Sequence, residues 1–212
     1  MGTANIFDIS DANGRHGYET TVDWIENNYN NADGYIVKLG ETLNGTPTLD
    51  DNFIENINAV EKYNKPFGIY YVNHFLNDEI PSEEAEFVNN MIYQYIGENN
   101  PHFTLGIWAD LEVESTKNYN ADTRVQTFLD SLIDWQSGNP GGLYGIYAGY
   151  DYLNSEYVSF TTIKEKGYLI WVAQYNTENS LLLENPDLEE NIKIWQFTTN
   201  NNTLDQSTMY NV

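Results

Sequence analysis

The sequence predicts an α/β protein: a single TIM-like barrel of five β/α units followed by three strands. Three observations carry that expectation. Short β-rich runs alternate with amphipathic helical runs as far as Ala148, a pattern that implies parallel strands buried behind helices. The rhythm then changes to strands separated by short irregular pieces, which brings the strand count to about eight, enough to close a barrel. The chain of 212 residues, 41% of them hydrophobic, fits one domain with a sizeable core.

Asn5 to Asp8 reads as the first strand, and Thr20 to Asn30 as a helix with Val22, Ile25 and Tyr29 on one face. Gly34 to Leu39 is the second strand. Asp51 to Asn64 is helical, with Phe53, Ile57, Val60 and Tyr63 roughly aligned, and Pro66 stops it. Phe67 to Val72 is the third strand. The next helix starts with Ser82 as N-cap and Glu83, Glu84 and Glu86 against the positive helix end. Ala85, Val88, Ile92, Tyr95 and Ile96 form its buried face, and Gly97 suits its end. Thr104 to Leu111 is the fourth strand, Asp122 to Gln136 the fourth helix with Gly138 beyond it, and Leu143 to Ala148 the fifth strand. Tyr168 to Ala173 and Ile192 to Phe197 are further strands, and a last short one runs near Thr203 to Asp205. Asn200 to Asn202 reads as a loop. No linker, repeat or second domain stands out, so residues 1–212 are expected to form one catalytic domain with no wall-binding module.

Several chemistries are excluded at once. Cysteine is absent, which removes disulfides, thiolate nucleophiles and cysteine-held zinc. His16, His74 and His102 include no pair at metal-ligand spacing, so no metal and no cofactor is expected. The G-x-S-x-G, G-x-G-x-x-G and P-loop patterns are missing. Asp11 and Asn13 open like a calcium loop, but Arg15 and His16 stand where that loop needs other residues. A formal net charge of −23 argues against nucleic-acid partners and anionic membrane surfaces. No apolar run is long enough to span a membrane, and no signal peptide is visible. Aromatic residues at 15% supply either core or flat faces for sugar rings.

Chemistry in a β/α barrel sits where the strands end. Asp8 ends the first strand, Asp110-Leu111-Glu112 ends the fourth, and Asp205 lies at the last. Asp110 and Glu112 are two apart, so on a strand they share a face. Two carboxylates that close push one pKa up, leaving one acid and one anion. Glycoside hydrolysis needs that division: an acid for the leaving oxygen and an anion beside the oxocarbenium-like centre. Strand-end acids also serve as helix caps or ion-pair partners, so the D-x-E pattern alone is weak.

The order of the remaining motifs strengthens it. Asp8-Ile9-Ser10, Asn13-Gly14, Asp23-Trp24, Lys38 with Glu41, Asp50 with Phe53, and Gly68-Ile69-Tyr70 precede Asp110-Leu111-Glu112. Gly145-Ile146-Tyr147, Trp171-Val172-Ala173-Gln174-Tyr175, Trp195-Gln196 and Leu204-Asp205 follow it. From about Ile6 to Tyr210 this succession resembles glycoside hydrolase family 25, the Chalaropsis-type muramidases of phage endolysins and bacterial autolysins. The resemblance implies a barrel of five β/α units and three strands, and hydrolysis of the β-1,4 bond from N-acetylmuramic acid to N-acetylglucosamine. It implies Glu112 as general acid, Asp110 steadying the positive centre or orienting the acetamido group, and Asp8 and Asp205 as supporting carboxylates. It leaves the nucleophile open. Three departures are visible: Tyr71 stands where the family often has His, Leu39-Gly40 replaces a small polar pair, and no Gly follows Glu41.

Tyr71, Tyr147, Tyr175 and Trp195 lie at or near strand ends, where they could line a sugar groove or pack in the core. Lys38 and Glu41 could contact substrate, brace a carboxylate or simply pair, and Gln196 could orient Asp205 or the sugar, or just satisfy backbone groups. The expected partner is the glycan strand of peptidoglycan, met by a monomer at the bacterial wall. Such an enzyme would be secreted, or released through the host membrane if phage-encoded. The alternative is a glycan-binding barrel without catalysis, against which the intact D-x-E argues. The longer chitinase-type motif is absent, with Leu105 and Trp108 in the places of its first two acids.

Overall fold

The computed structural model describes residues 3–10, 25, 31–76, 79–97, 99–118, 120–132, 143–198 and 205–210. Among them one sheet carries β1 (Thr3–Ile9), β2 (Gly34–Leu43), β3 (Thr46–Leu49), β4 (Phe67–Val72), β5 (Phe103–Asp110), β6 (Tyr144–Gly149), β7 (Leu169–Ala173), β8 (Ile192–Thr198) and β9 (Gln206–Tyr210). The helices are α1 (Phe53–Lys62), α2 (Pro81–Tyr95), α3 (Ala121–Ser131), α4 (Tyr150–Asn154), α5 (Phe160–Lys166) and α6 (Ser180–Glu184). Of the helix read over Thr20–Asn30, only Ile25 is described, helical and fully buried. The end of the fourth predicted helix from Ile133, with Gly138, and the motif residues Asn13, Gly14, Asp23, Trp24 and Leu204 lie outside the described residues, as do Asp11, Arg15, His16 and 200–202.

The sheet closes. Its order runs β1-β9-β8-β7-β6-β5-β4-β2, and β1 pairs with β2 to complete an eight-stranded barrel. Every neighbour pair from β1–β2 round to β7–β8 is parallel, whereas β9 runs antiparallel to both β8 and β1. This mixed barrel agrees with the five-plus-three architecture expected from the sequence.

Three element boundaries differ for physical reasons. The second strand was expected to stop at Leu39 but continues to Leu43 and folds back as β3. Asn44 and Gly45 both have positive φ, 50° and 74°, which suits the tight two-residue turn of a hairpin. The hairpin arm pairs Gly40 with Leu49, and a Cβ at Gly40 would stand 2.1 Å from the Thr48 carbonyl oxygen. The third helix is entered two residues early, with Pro81 in its first turn and Ile80 as N-cap, so Ser82 does not cap it. Pro at that position loses no helical hydrogen bond. The final strand begins at Gln206, so Asp205 precedes it rather than ending it.

Strand pleating separates two apolar layers. Outward residues such as Val37, Ile69, Tyr71, Ala109, Ile146 and Val172 pack beneath the helices. Inward residues Ile6, Ile36, Trp108, Trp171, Ile194 and Met209 fill the barrel. Trp108 and Trp171 meet edge to face at 6.0 Å, and their indole N–H groups donate to the Leu105 carbonyl at 2.8 Å and the Ser207 hydroxyl at 3.1 Å. A Cβ on Gly145 would lie 2.6 Å from Trp108 Cζ3 and 2.4 Å from the Leu169 carbonyl oxygen, so the small residue makes room for the indole. Gly145→Ala is therefore expected to destabilise the fold by about 1–3 kcal/mol, the usual cost of overpacking, read as a lowered denaturation midpoint at constant m. An unchanged midpoint would show that the tryptophan pair yields easily.

Candidate active site

The aromatic plug ends where the parallel strands end, and polar side chains take over. Asp8 on β1, Lys38 on β2, Tyr70 on β4, Asp110 on β5, Tyr147 on β6 and Gln196 on β8 each lie two residues along their strand from Ile6, Ile36, Gly68, Trp108, Gly145 and Ile194. A period of two turns them all inward at one mouth. Because β9 runs the other way, its entry faces the same mouth, and this brings Asp205 beside Asp8. The Asp8 N–H donates to the Asp205 carbonyl at 3.3 Å.

Asp110 is buried at 4% exposure, and its Oδ1 accepts the Glu112 backbone N–H at 3.1 Å. The strand ends at Asp110, so Glu112 stands beyond it and is exposed. Burial pushes the Asp110 carboxyl well above the usual range, and the Glu112 charge adds to this, while the Glu112 N–H and Lys38 oppose it. Glu112 is exposed, yet crowding around its carboxyl removes enough water to raise its pKa too, against the Tyr147 hydroxyl. Asp8 is raised well above its ordinary value by burial and by Asp205, with the Gln196 amide pulling the other way. The mouth thus crowds carboxyl groups that resist ionising together.

Gln196 ties them to one another. Its side-chain Nε2 donates to Asp8 Oδ2 at 3.0 Å, and its Oε1 accepts from the hydroxyls of Tyr147 at 2.8 Å and Tyr175 at 3.3 Å. The Tyr147 hydroxyl also lies 3.2 Å from Glu112 Oε1, and its ring packs 4.4 Å from Trp171. At the other rim Lys38 Nζ meets Glu41 Oε1 at 2.7 Å, and His74 Nε2 lies 3.3 Å from Glu41 Oε2. Burial pushes Glu41 up, but Lys38 and His74 outweigh it and hold its carboxyl below the usual value. Beside Glu112 opens a cavity of about 270 Å³, lined by Lys117, Asp151, Tyr152, Ser155 and Tyr157.

The structure therefore gathers Asp8, Asp110, Glu112, Asp205, Lys38, Glu41, Tyr147, Tyr175 and Gln196 at one mouth. It does not bring Tyr71 or Trp195 there. Tyr71 is fully buried on the outer face of β4, stacked on Phe128 at 6.0 Å with its hydroxyl 2.7 Å from Thr42 Oγ1. Trp195 faces outward next to the inward Gln196, packs against the outer core and donates to the Gln174 carbonyl at 2.8 Å. Both corrections follow from pleat parity. The same parity turns Tyr70 inward, its hydroxyl bonded to Ser10, and burial with the charges of Asp8 and Asp110 keeps it un-ionised. Alternation along β4 puts Tyr70 on the same face as Gly68, but the sequence alone does not say which face of that strand turns inward. His74 was missed because its loop position carries no periodic signal.

Among the described residues, no group of three or more His, Cys, Asp or Glu is placed to hold a metal ion. Among them too, no helix is long and apolar enough to cross a membrane.

Comparison with known proteins places this geometry in context. The sequence profile of Glycosyl hydrolases family 25 matches residues 7–206. No curated protein sequence matches. Among solved structures, the modular autolysin LytC from Streptococcus pneumoniae aligns with a TM-score of 0.70 at 22% identity over 98% of this chain and 47% of that one. This chain thus spans about half the length of that autolysin, which has also been solved in complex with synthetic peptidoglycan ligand. The catalytic domain of endolysin ply40 from bacteriophage P40 of Listeria monocytogenes aligns at 0.65 with 18% identity, over 98% of this chain and 93% of that one. The muramidase from Acremonium alcalophilum aligns at 0.71 with 15% identity, over 99% and 94%. At these identities the likeness establishes the shared barrel.

Proposed function

We propose, because this chain belongs to glycosyl hydrolase family 25, that it is a muramidase cutting the β-1,4 bond between N-acetylmuramic acid and N-acetylglucosamine in peptidoglycan. The observation that carries this reading is the pairing of a buried Asp110 with an exposed Glu112 whose backbone it holds at 3.1 Å. In this reading Glu112 is the general acid. It stands at the open rim, where a glycosidic oxygen can reach it, and substrate would displace water from it and raise its pKa further. Asp110 faces the centre that becomes positive as the bond breaks.

The pair shares its protons, and burial alone would leave the last one on Asp110. Two features favour Glu112 instead. The Glu112 N–H and the Lys38 charge both stabilise an ionised Asp110. Asp8 and Asp205 complete the anionic wall, Tyr147 and Tyr175 offer hydroxyls and ring faces to the sugar, and Lys38 with Glu41 braces the opposite rim. The cavity beside Glu112 extends the groove on the leaving-group side. The site as proposed works as a monomer on the wall.

Digestion of purified peptidoglycan tests the reading. Wild type is expected to release fragments with reducing N-acetylmuramic acid, identified by mass, and Glu112→Gln is expected to release none. Binding of the wall by both proteins with no fragments from either would point to a glycan-binding barrel instead.

A further inference from the structure

The rim formed by Lys38, Glu41 and His74 is supported from behind. Glu41 lies on the arm that β2 makes with β3, past the register shift between Lys38 and Gly40, and His74 lies in the segment after β4. Adjacent residues on a strand face opposite sides, so Thr42 turns away from the mouth that Glu41 faces. Thr42 and Asn73, the sequence neighbours of the two rim residues, are 1% and 0% exposed. Both end on one carboxylate, that of Glu84 in the first turn of α2. Thr42 Oγ1 donates to Glu84 Oε1 at 2.5 Å, and Asn73 Nδ2 donates to Oε2 at 3.1 Å. With the Thr42 proton on Glu84, the Tyr71 hydroxyl donates to Thr42 Oγ1 at 2.7 Å. Tyr71 thus joins the support of the mouth without lining it.

Glu84 is 1% exposed, and burial pushes its carboxyl up, while the bonds from Thr42 and Asn73 pull it back. The Arg124 guanidinium on α3 acts on it through space, and its terminal N–H groups donate to the carbonyls of Phe75, Leu76 and Glu79. A buried carboxylate is costly unless its hydrogen bonds are made, and here both oxygens are spent on donors beside the rim. The Asn73 backbone N–H also donates to the Asp110 carbonyl at 3.0 Å, and the Ser115 hydroxyl bonds the His74 carbonyl. The segment that carries His74 is therefore fastened next to the acid pair.

We propose that Glu84 is a positioning residue for the mouth: by holding Thr42 and Asn73 together, it keeps Glu41 between Lys38 and His74. Glu84 touches no substrate. The inference rests on the reading of the mouth as the glycan site and gives that site a fixed wall opposite Glu112. Its reach extends to the acid pair, because the Lys38 charge bears on Asp110 and Glu41 is the carboxylate that shares that charge. The charged and titratable groups around Glu41 are Lys38 from β2 and His74 beyond β4. Those around Glu84 are Tyr71 from β4, Glu79 ahead of α2 and Arg124 from α3.

Thr42→Val keeps the branched shape and removes the hydroxyl that joins the arm to Glu84. A carboxyl titration of the full chain with ¹³C-labelled glutamate reads the result at Glu41, whose signal is assigned by its loss in Glu41→Gln. Lys38 and His74 hold the Glu41 carboxyl below its usual value, so a loosened arm is expected to raise it by several tenths of a unit. Thr42→Ser restores the hydroxyl and should return it to the wild-type value. On peptidoglycan, Thr42→Val is expected to raise KM several-fold with little change in kcat. That rise should vanish in a Glu41→Ala/His74→Ala background, because Glu84 acts through those two residues. A wild-type Glu41 pKa in folded Thr42→Val, or an equal KM rise in the background lacking the rim pair, would overturn the proposal. The titration needs no substrate, so it decides even if no wall fragments are released and the muramidase reading fails. If Thr42→Val does not fold, Thr42→Val/Glu84→Met removes both partners, strands no carboxylate and is read in the same way.

Discussion

Replacing Glu112 by glutamine is expected to reduce turnover on peptidoglycan by about 10²–10⁴-fold or more, the usual contribution of a positioned general acid. The substitution preserves volume and removes only the transferable proton. Glu112 is exposed beyond the end of β5, and what fixes it is its own backbone N–H on Asp110, which the variant keeps. Folding and wall binding should therefore be unchanged, measured by thermal midpoint and by pelleting with insoluble wall. A loss confined to kcat is the signature of an interaction made in the transition state. Activity within a few-fold of wild type would remove Glu112 from the acid role and direct attention to Asp110.

Asp110→Asn should separate activity from stability more sharply. Turnover is expected to drop by several orders of magnitude, because a neutral amide cannot support the positive centre. Stability at neutral pH is expected to rise. The sign follows from linkage. Burial raises the folded-state pKa of Asp110 above its unfolded value near 4, so the folded protein holds that proton more tightly. The carboxyl is neutral in both states below about pH 4 and costs nothing there. As pH climbs through the raised pKa, the folded protein must bear a buried charge, and stability is lost. The asparagine variant escapes that loss while still accepting the Glu112 N–H. Its advantage should be absent at acidic pH and should grow toward neutrality, each kcal/mol reading as roughly 2–4 °C in melting temperature. Since Glu112 titrates with Asp110, the change should spread over a wide pH range. Equal melting temperatures for variant and wild type at pH 4 and pH 8 would contradict the raised pKa.

Much of this was legible in the residues. Helical and strand periods gave the five β/α units because helices and buried strands impose different repeats on apolar residues. The acids stood out because a strand-end carboxylate needs a reason to be there. What failed was facing and direction. Tyr70 and Tyr71 are adjacent and alike, and only the pleat, fixed by Ile69 packing under the helices, decides which one sees the mouth. Trp195 and Gln196 pose the same choice. The β2–β3 arm had its signal in Asn44-Gly45, but strand periodicity alone stopped at Leu39. Nothing in Gln206–Tyr210 announces an antiparallel strand, so the sequence could put Asp205 near a strand but not at its entry. Glu84 read as a charge favouring a helix start; it is buried at 1% exposure and accepts from Thr42 and Asn73. Such tertiary partners cannot be seen from local spacing.

The antiparallel closure by β9 links the site to the order of synthesis. Asp8 emerges from the ribosome early and Asp205 late, yet they meet side by side where β9 joins β1. A nascent chain that has reached only β8 holds Asp110 and Glu112 but lacks Asp205 and the strand that closes the wall around Asp8. Contacts so distant along the chain are among the last to form. A barrel built this way completes its carboxylate-lined mouth only at the final stitch, and an unfinished or clipped copy presents an open sheet where that mouth should be.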